Sequence, residues 1–151
     1  MTPVELSKRI DGVVKDLEGG AIEQIMVKLA NDAIALIRQR VTQTGKNAEG
    51  IAFRDYKPGY KNYKMALGRY KGYVDFQFTG RMWANIKLFS SPDQHRKGIA
   101  KIAATTVEDQ EKLEWNTGSR GPILELSQFE KELLWEVYNE QLLKIFRKNG
   151  L

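Results

Sequence analysis

The residues of this chain that could do chemistry gather between Phe53 and Tyr73. There Tyr56, Tyr60, Tyr63, Tyr70 and Tyr73, five of the six tyrosines, are interleaved with Arg54, Lys57, Lys61, Lys64, Arg69 and Lys71. Aromatic rings can stack on nucleic-acid bases while Lys and Arg neutralise phosphates, so single-stranded or backbone-level nucleic-acid binding is one reading. The same residue types are favoured at protein interfaces, where their apolar bodies bury and their polar tips stay satisfied. A solvated loop is the third reading. In the absence of a nucleic-acid-binding motif the interface reading stands first, and the other two stay open.

Signatures of catalysis are sparse. His95 is the single histidine and sits beside Arg96 and Lys97 after a turn. That placement reads as a solvated loop residue, because a general base needs an oriented partner and a pocket. No Gly-x-x-x-x-Gly-Lys-Ser/Thr phosphate loop occurs, nor any Asp, Glu and His grouping at metal-ligand spacing. The run Glu108-Asp109-Gln110-Glu111 reads as a solvated helix face rather than a metal cluster. Cysteine is absent, which removes disulfides, thiolate catalysis and most structural zinc sites together. The sequence therefore predicts a protein that is not an enzyme and carries no cofactor and no metal.

At 151 residues and 42% hydrophobic content the chain fits one folded domain with a real core. No apolar run approaches the roughly 20 residues needed to cross a bilayer. Met1-Thr2-Pro3-Val4-Glu5 lacks the pattern of a secretion signal, so the expectation is a protein made and kept in a cytoplasm, with no membrane partner. The net charge is +5, and its distribution is more informative. From Arg40 to Lys101 thirteen basic residues face four acidic ones, a local +9, whereas the remainder sums to −4. A basic middle between acidic ends suits a subunit presenting one charged face to a partner, to nucleic acid, or to a head-to-tail neighbour.

Several elements must position these residues. Thr2-Pro3-Val4-Glu5 has the form of a capping box with Pro at the first helical position, and Leu6, Ile10, Val13, Val14 and Leu17 follow at helical spacing. Gly19-Gly20 interrupts. A second helix is predicted from about Ala21 to Gln43, with Ile22, Ile25, Met26, Leu29, Ala33, Leu36, Ile37 and Val41 on one apolar stripe. Residues 1–43 are thus helical. Residues 44–73 lose periodicity and read as an extended arm, too rich in aromatics for a disordered linker.

Residues 74–106 read as strands with one short helix. Tyr73-Val74-Asp75-Phe76-Gln77-Phe78 alternates like a strand, and Thr79-Gly80 breaks it. Thr79 could cap a short helix from Arg81, burying Met82, Trp83 and Ile86 while Arg81 and Asn85 point outward. Ser90-Ser91-Pro92-Asp93 is a turn, and residues 98–105 a second strand. Residues 107–126 read as a linker, with 107–115 ambiguous and 116–122 a loop. Ser127-Gln128-Phe129-Glu130 is another capping box, opening a C-terminal helix over 127–149. On it Trp135, Tyr138 and Leu142 depart from the main apolar stripe, a strip that could serve a neighbour or simply pack within the domain. The order predicts a single α+β domain: long N-terminal helices and a C-terminal helix packed on a small antiparallel sheet, with a long basic, Tyr-rich arm.

The sequence Thr79-Gly80-Arg81-Met82, after a long helix ending near Arg38-Gln39-Arg40 and a basic Lys/Tyr stretch, resembles the virion-morphogenesis and tail-completion proteins of tailed bacteriophages. In that family a Thr-Gly-Arg-Leu-like turn precedes the sheet. The segment from Glu114 to Ser127, with Gly118-Ser119-Arg120-Gly121-Pro122-Ile123-Leu124-Glu125-Leu126-Ser127, resembles the family's late glycine-rich loop and Arg-Pro-hydrophobic-Leu-x-Leu-Ser stretch. Here Gly121 separates Arg120 from Pro122, and Ile123 stands where the family often has Phe. The similarity covers roughly residues 21 to 146.

The resemblance implies a structural, non-enzymatic subunit of the head-tail connector or neck. It would form a homo-oligomeric ring in the virion around the DNA channel, after synthesis in the host cytoplasm. Its implied partners are copies of itself and the portal, connector and tail proteins, with packaged double-stranded DNA as a further contact left open. Interface or DNA-channel candidates are Arg54, Lys57, Tyr60, Lys61, Tyr63, Lys64, Arg69, Lys71, Arg81 and Trp135. The alternative is a small cytoplasmic nucleic-acid-binding protein using the same arm.

Overall fold

Thr2 opens the first helix, α1 (Pro3–Asp16), through a complete capping box in which its side chain accepts from Glu5 N and its own N–H donates to the Glu5 carboxylate. The computed structural model describes residues 1–77 and 80–151. A single π turn, Leu17–Ala21, kinks at Gly20 (φ 108°) and leads into α2 (Ile22–Thr44). Both ends agree with the sequence expectation within two residues, because the caps and the apolar period there point the same way. Ile25, Ala30, Ala33, Ile37 and Val41 of α2 are buried.

The chain continues through α3 (Pro58–Ala66), α4 (Arg81–Ala84), β1 (Ile86–Leu88), α5 (Pro92–Arg96), β2 (Ile102–Ala104), α6 (Val107–Arg120) and α7 (Gln128–Lys148). The strands pair antiparallel with Ile86 opposite Ala104, Lys87 opposite Ala103 and Leu88 opposite Ile102. About 64% of the chain is helical, and with this small sheet the fold is α+β.

The principal core gathers around the C-terminal half of α2. Ile37 and Val41 meet Phe53, Val74, Trp83, Ile86, Leu113 and Ile123, all buried. Trp83 alone is an anchor whose removal would cost about 3–5 kcal/mol. Gly80 (φ 79°) makes the turn into α4, as its lack of a Cβ allows. The N-cap assigned to Thr79, and Phe78 at the end of the expected strand, lie outside the described residues.

On the far side of α2 lies a helical layer. Arg40 donates to the Glu130 carboxylate (2.8 Å) and to the backbone oxygens of Lys46 (2.7 Å) and Glu125 (2.6 Å), tying α2 to the start of α7. The far end of α7 meets α1. Asn149 and Lys148 donate to Asp16, Arg9 donates to the Gly150 carbonyl, and a side chain at Gly12 would strike Asn149. A larger residue at position 12 would have to displace the Asn149 side chain from its bonds to Asp16 and the Ile145 carbonyl.

Four expectations are corrected. Residues 44–73 are not an extended arm: α3 lies within them, and from Phe53 to Gln77 the chain forms a strap folded onto the core. Residues 73–77 are not a strand, because Asp75 turns inward beside Val74 and Phe76 takes φ +50°, which ends any extended path. Residues 107–120 are not a linker; Thr106 caps α6, accepting from Asp109 N, and the helix runs through Gly118. His95 is not solvated: it is buried on α5 and shares a 2.9 Å hydrogen bond with Ser90 Oγ, which also accepts from Lys101 N.

Candidate functional site

The strap is folded around a buried lysine. Lys64 has no exposed surface, and its Nζ donates to Asp75 Oδ1 (2.8 Å) and the Gln77 carbonyl (2.8 Å) while lying 4.7 Å from the centre of the Tyr56 ring. Tyr56 donates to the same carboxylate (3.1 Å) and accepts from Phe76 N (3.1 Å). Burial first, and then the Asp75 charge, pushes the Tyr56 hydroxyl far above its ordinary range, so it stays a donor at any physiological pH. Lys71 approaches the other Asp75 oxygen at 3.8 Å. An isolated ion here would be prohibitive, and the network supplies a partner for each charge.

Beside this network opens a cleft of about 540 Å³. Tyr56, Lys57 and Tyr60 of the strap form one wall, and Phe76 with Gly80, Arg81 and Met82 forms the base. The other wall is α6, where Asp109, Lys112, Asn116 and Arg120 recur at helical spacing beside Trp115. Its size is that of an ordinary recognition pocket. Arg120 is the central charge: its guanidinium lies 5.4 Å from the Trp115 ring, 5.6 Å from Tyr56 and 6.0 Å from Phe76. It donates to the Arg54 carbonyl, to Asn116 Oδ1 and to Ser119 Oγ. Among the described residues no carboxylate pairs with it.

The lining holds four basic residues against one acid. That acid, Asp109, is buried and committed: Asn85 donates to it at 2.5 Å and Thr106 at 2.8 Å, and these bonds hold its carboxyl below the ordinary value of 3.8. Asn85 therefore does not point outward as expected. At the rim Glu108 pairs with Lys112 (2.6 Å) and approaches Arg81 at 3.6 Å. The cleft offers aromatic walls for a flat or apolar group and cations for an anion attached to it.

Of the ten residues singled out by sequence, the cleft brings together Lys57, Tyr60 and Arg81. Arg54 contributes its carbonyl to Arg120. Lys61 is held by Asp55 (2.6 Å) over the Tyr70 ring. Tyr63 and Arg69 are exposed elsewhere on the strap, and Lys71 leans toward Asp75 and the Thr42 carbonyl. Lys64 is corrected: a fully buried ammonium can reach neither a partner nor DNA. Trp135 is 62% exposed on α7, stacked on Tyr138 at 5.4 Å. Sequence reasoning missed Lys112, Trp115 and Arg120 as a group, and the spacing that joins them is visible only once 107–120 is read as a helix.

The chain matches no protein-family model, no curated protein and no solved structure. Its reading rests on the chemistry of its surfaces. One such surface is the cleft; the other is apolar. Along α1, Leu6, Ile10 and Val14 are 38%, 46% and 45% exposed, although with Val13 they form the helix's apolar stripe. On α7 Phe129, Trp135, Leu143 and Phe146 are exposed as well.

Proposed function

We propose that the protein is a structural subunit of the head-tail connector of a tailed bacteriophage, joining copies of itself into a ring between portal and tail. The observation that carries the assembly reading is the uncovered apolar stripe of α1 together with the exposed aromatics of α7. A stripe at helical spacing contributes little to a monomer when left in water, and surfaces of this kind mark protein-protein contacts. The segregated charge supports contacts between unlike faces of neighbouring copies, which close into rings when the rotation closes. The placement in a phage neck is supported by the order of the Thr79–Met82 and 114–127 sequence motifs, with residues 114–120 forming the end of α6 rather than a loop.

Quantitative mass spectrometry of purified virions or tail-like particles tests this. About six or twelve copies per particle are expected for closed rings on the phage axis. Absence from particles with abundance in lysate would remove the connector reading.

The exposure of Tyr60 and Tyr63 beside Lys57 favours a second reading, a nucleic-acid-binding protein. It requires tight DNA binding at physiological salt with a steep salt slope. A connector subunit alone binds weakly.

A further inference from the structure

The cleft has two features that a monomer leaves unanswered. Arg120 has no carboxylate partner among the described residues, and Lys57 at the rim has none either. Its aromatic lining, Tyr56, Phe76 and Trp115, surrounds the Arg120 guanidinium and leaves open space beside it.

The complementary features lie on α7. Trp135, Tyr138, Leu142 and Phe146 recur at i, i+3, i+7 and i+11 along one flank, separate from the side turned to α2. Between that flank and α2, Glu132, Glu136 and Glu140 form a row four residues apart, all exposed, with Glu136 and Glu140 at the edge of the groove that α7 makes with α2. Among the described residues none of the three has a basic partner; Glu132 accepts only from Gln128, one turn away. Like charges at this spacing repel by a few tenths of a kcal/mol per pair, so the row is mildly unfavourable alone and relieved by a cationic neighbour.

We propose that the cleft receives this flank of α7 from a second copy of the chain, with Trp135 entering between the aromatic walls and Glu132 and Glu136 meeting Lys57 and Arg120. The contact is heterologous, cleft to helix, so each copy can both give and receive. Tryptophan set in a pocket and ringed by charge is the usual form of an energetic anchor. This rests on the assembly reading above only in requiring that copies meet, and it names the surfaces that do so.

The cysteine-free sequence makes a clean test possible. Full-length Met82→Cys, in the cleft, and Asn139→Cys, one turn beyond Trp135, are mixed and oxidised. The expected product is the mixed dimer, in excess over either like-with-like dimer. Sedimentation of the unmodified chain should show association that Trp135→Ala weakens by roughly thirtyfold, the loss expected of a buried anchor. At dilutions where both chains are monomeric its unfolding curve should shift little, since Trp135 is 62% exposed and its ring contact is with Tyr138 on the same helix. Lys57→Glu should weaken association, and adding Glu136→Lys should restore it.

No association at high concentration overturns the proposal, as does association insensitive to Trp135→Ala or cross-linking that favours like pairs. If copies associate through other surfaces, the cleft assignment falls while the connector reading stands. If the mixed dimer forms but the protein is missing from particles, the connector reading falls while the cleft assignment stands.

Discussion

Between Phe53 and Gln77 the chain is rich in tyrosine and lysine and yet folds inward, whereas α1 carries a regular apolar stripe and yet leaves most of it in water. The strap's inward-turned polar residues satisfy one another: Lys64 meets Asp75, Tyr56 and the Gln77 carbonyl, and Lys61 with Tyr70 closes on Asp55. The stripe of α1 finds partners only near its C-terminal half, where Val13 is buried and Gly12 meets Asn149. Residue type therefore misstates where each region goes. What decides is whether the fold supplies a complement, a carboxylate for the lysine or a second apolar face for the helix.

The contrast predicts a graded set of outcomes under chemical denaturation. The largest falls on the strap. Asp75→Ala leaves the buried Lys64 ammonium without its counter-ion and should lose about 3–5 kcal/mol, enough to unfold much of the population, while Lys64→Ala, which leaves Asp75 with only Lys71 at 3.8 Å, should lose somewhat less. The double variant Lys64→Met/Asp75→Leu should lie closer to the parent than either single change. Equal stability of Lys64→Ala and the parent would mean that the strap is not closed by this pair.

Next is the tie between α2 and α7. Glu130→Ala removes both the Arg40 contact and half of the α7 capping box; because Arg40 keeps its two backbone acceptors, the loss should be about 1.5–3 kcal/mol, the contribution of one hydrogen bond to a charged group.

A smaller effect concerns acid. The Asp109 carboxyl is held below 3.8 in the folded protein by Asn85 and Thr106, so the folded state binds fewer protons than the unfolded chain. Its contribution is present in full above about pH 5 and is lost as pH falls from 3.8 through the lower folded value. Asp109→Asn should flatten that part of the stability curve measured between pH 5 and 2. An unchanged acid limb would show that other carboxylates, such as Asp16 or Asp55, carry it.

The smallest change is expected on the helix that looks most like core. Leu6→Lys and Ile10→Lys should alter monomer stability by no more than about 0.5 kcal/mol, as for other surface positions. Loss of several kcal/mol would mean that the stripe is covered in the monomer, and would erase the comparison.

The legible parts of the fold are those where several local signals agree. Thr2 and Glu5, and Ser127 and Glu130, announce their helices, and the α2 stripe fixes a helix of 23 residues. Gly118 and the charged run 108–112 hid α6, and Gly59 within a tyrosine-lysine stretch hid α3. Lys64 was illegible for another reason. Its counter-ion lies eleven residues away across turns at Gly68 and Gly72, and only the folded path brings them together. Three of the twelve residues lining the cleft, Lys57, Tyr60 and Arg81, are legible as separate candidates. Five more belong to α6 and are hidden with it.

The junction between α1 and the end of α7 also sets an order in time. Residues 9–16 emerge from the ribosome before residues 147–150, the ones that hold them. At about 5–20 residues per second the wait is on the order of ten seconds. Throughout it α1 has no docking site, and its stripe is open to chaperones or to the nascent α1 of an adjacent polysome chain. Once α7 is complete, Val13 and Gly12 are sealed while Leu6, Ile10 and Val14 stay available. With α7 docked, the subunit is closed at one end of its first helix and still adhesive at the other.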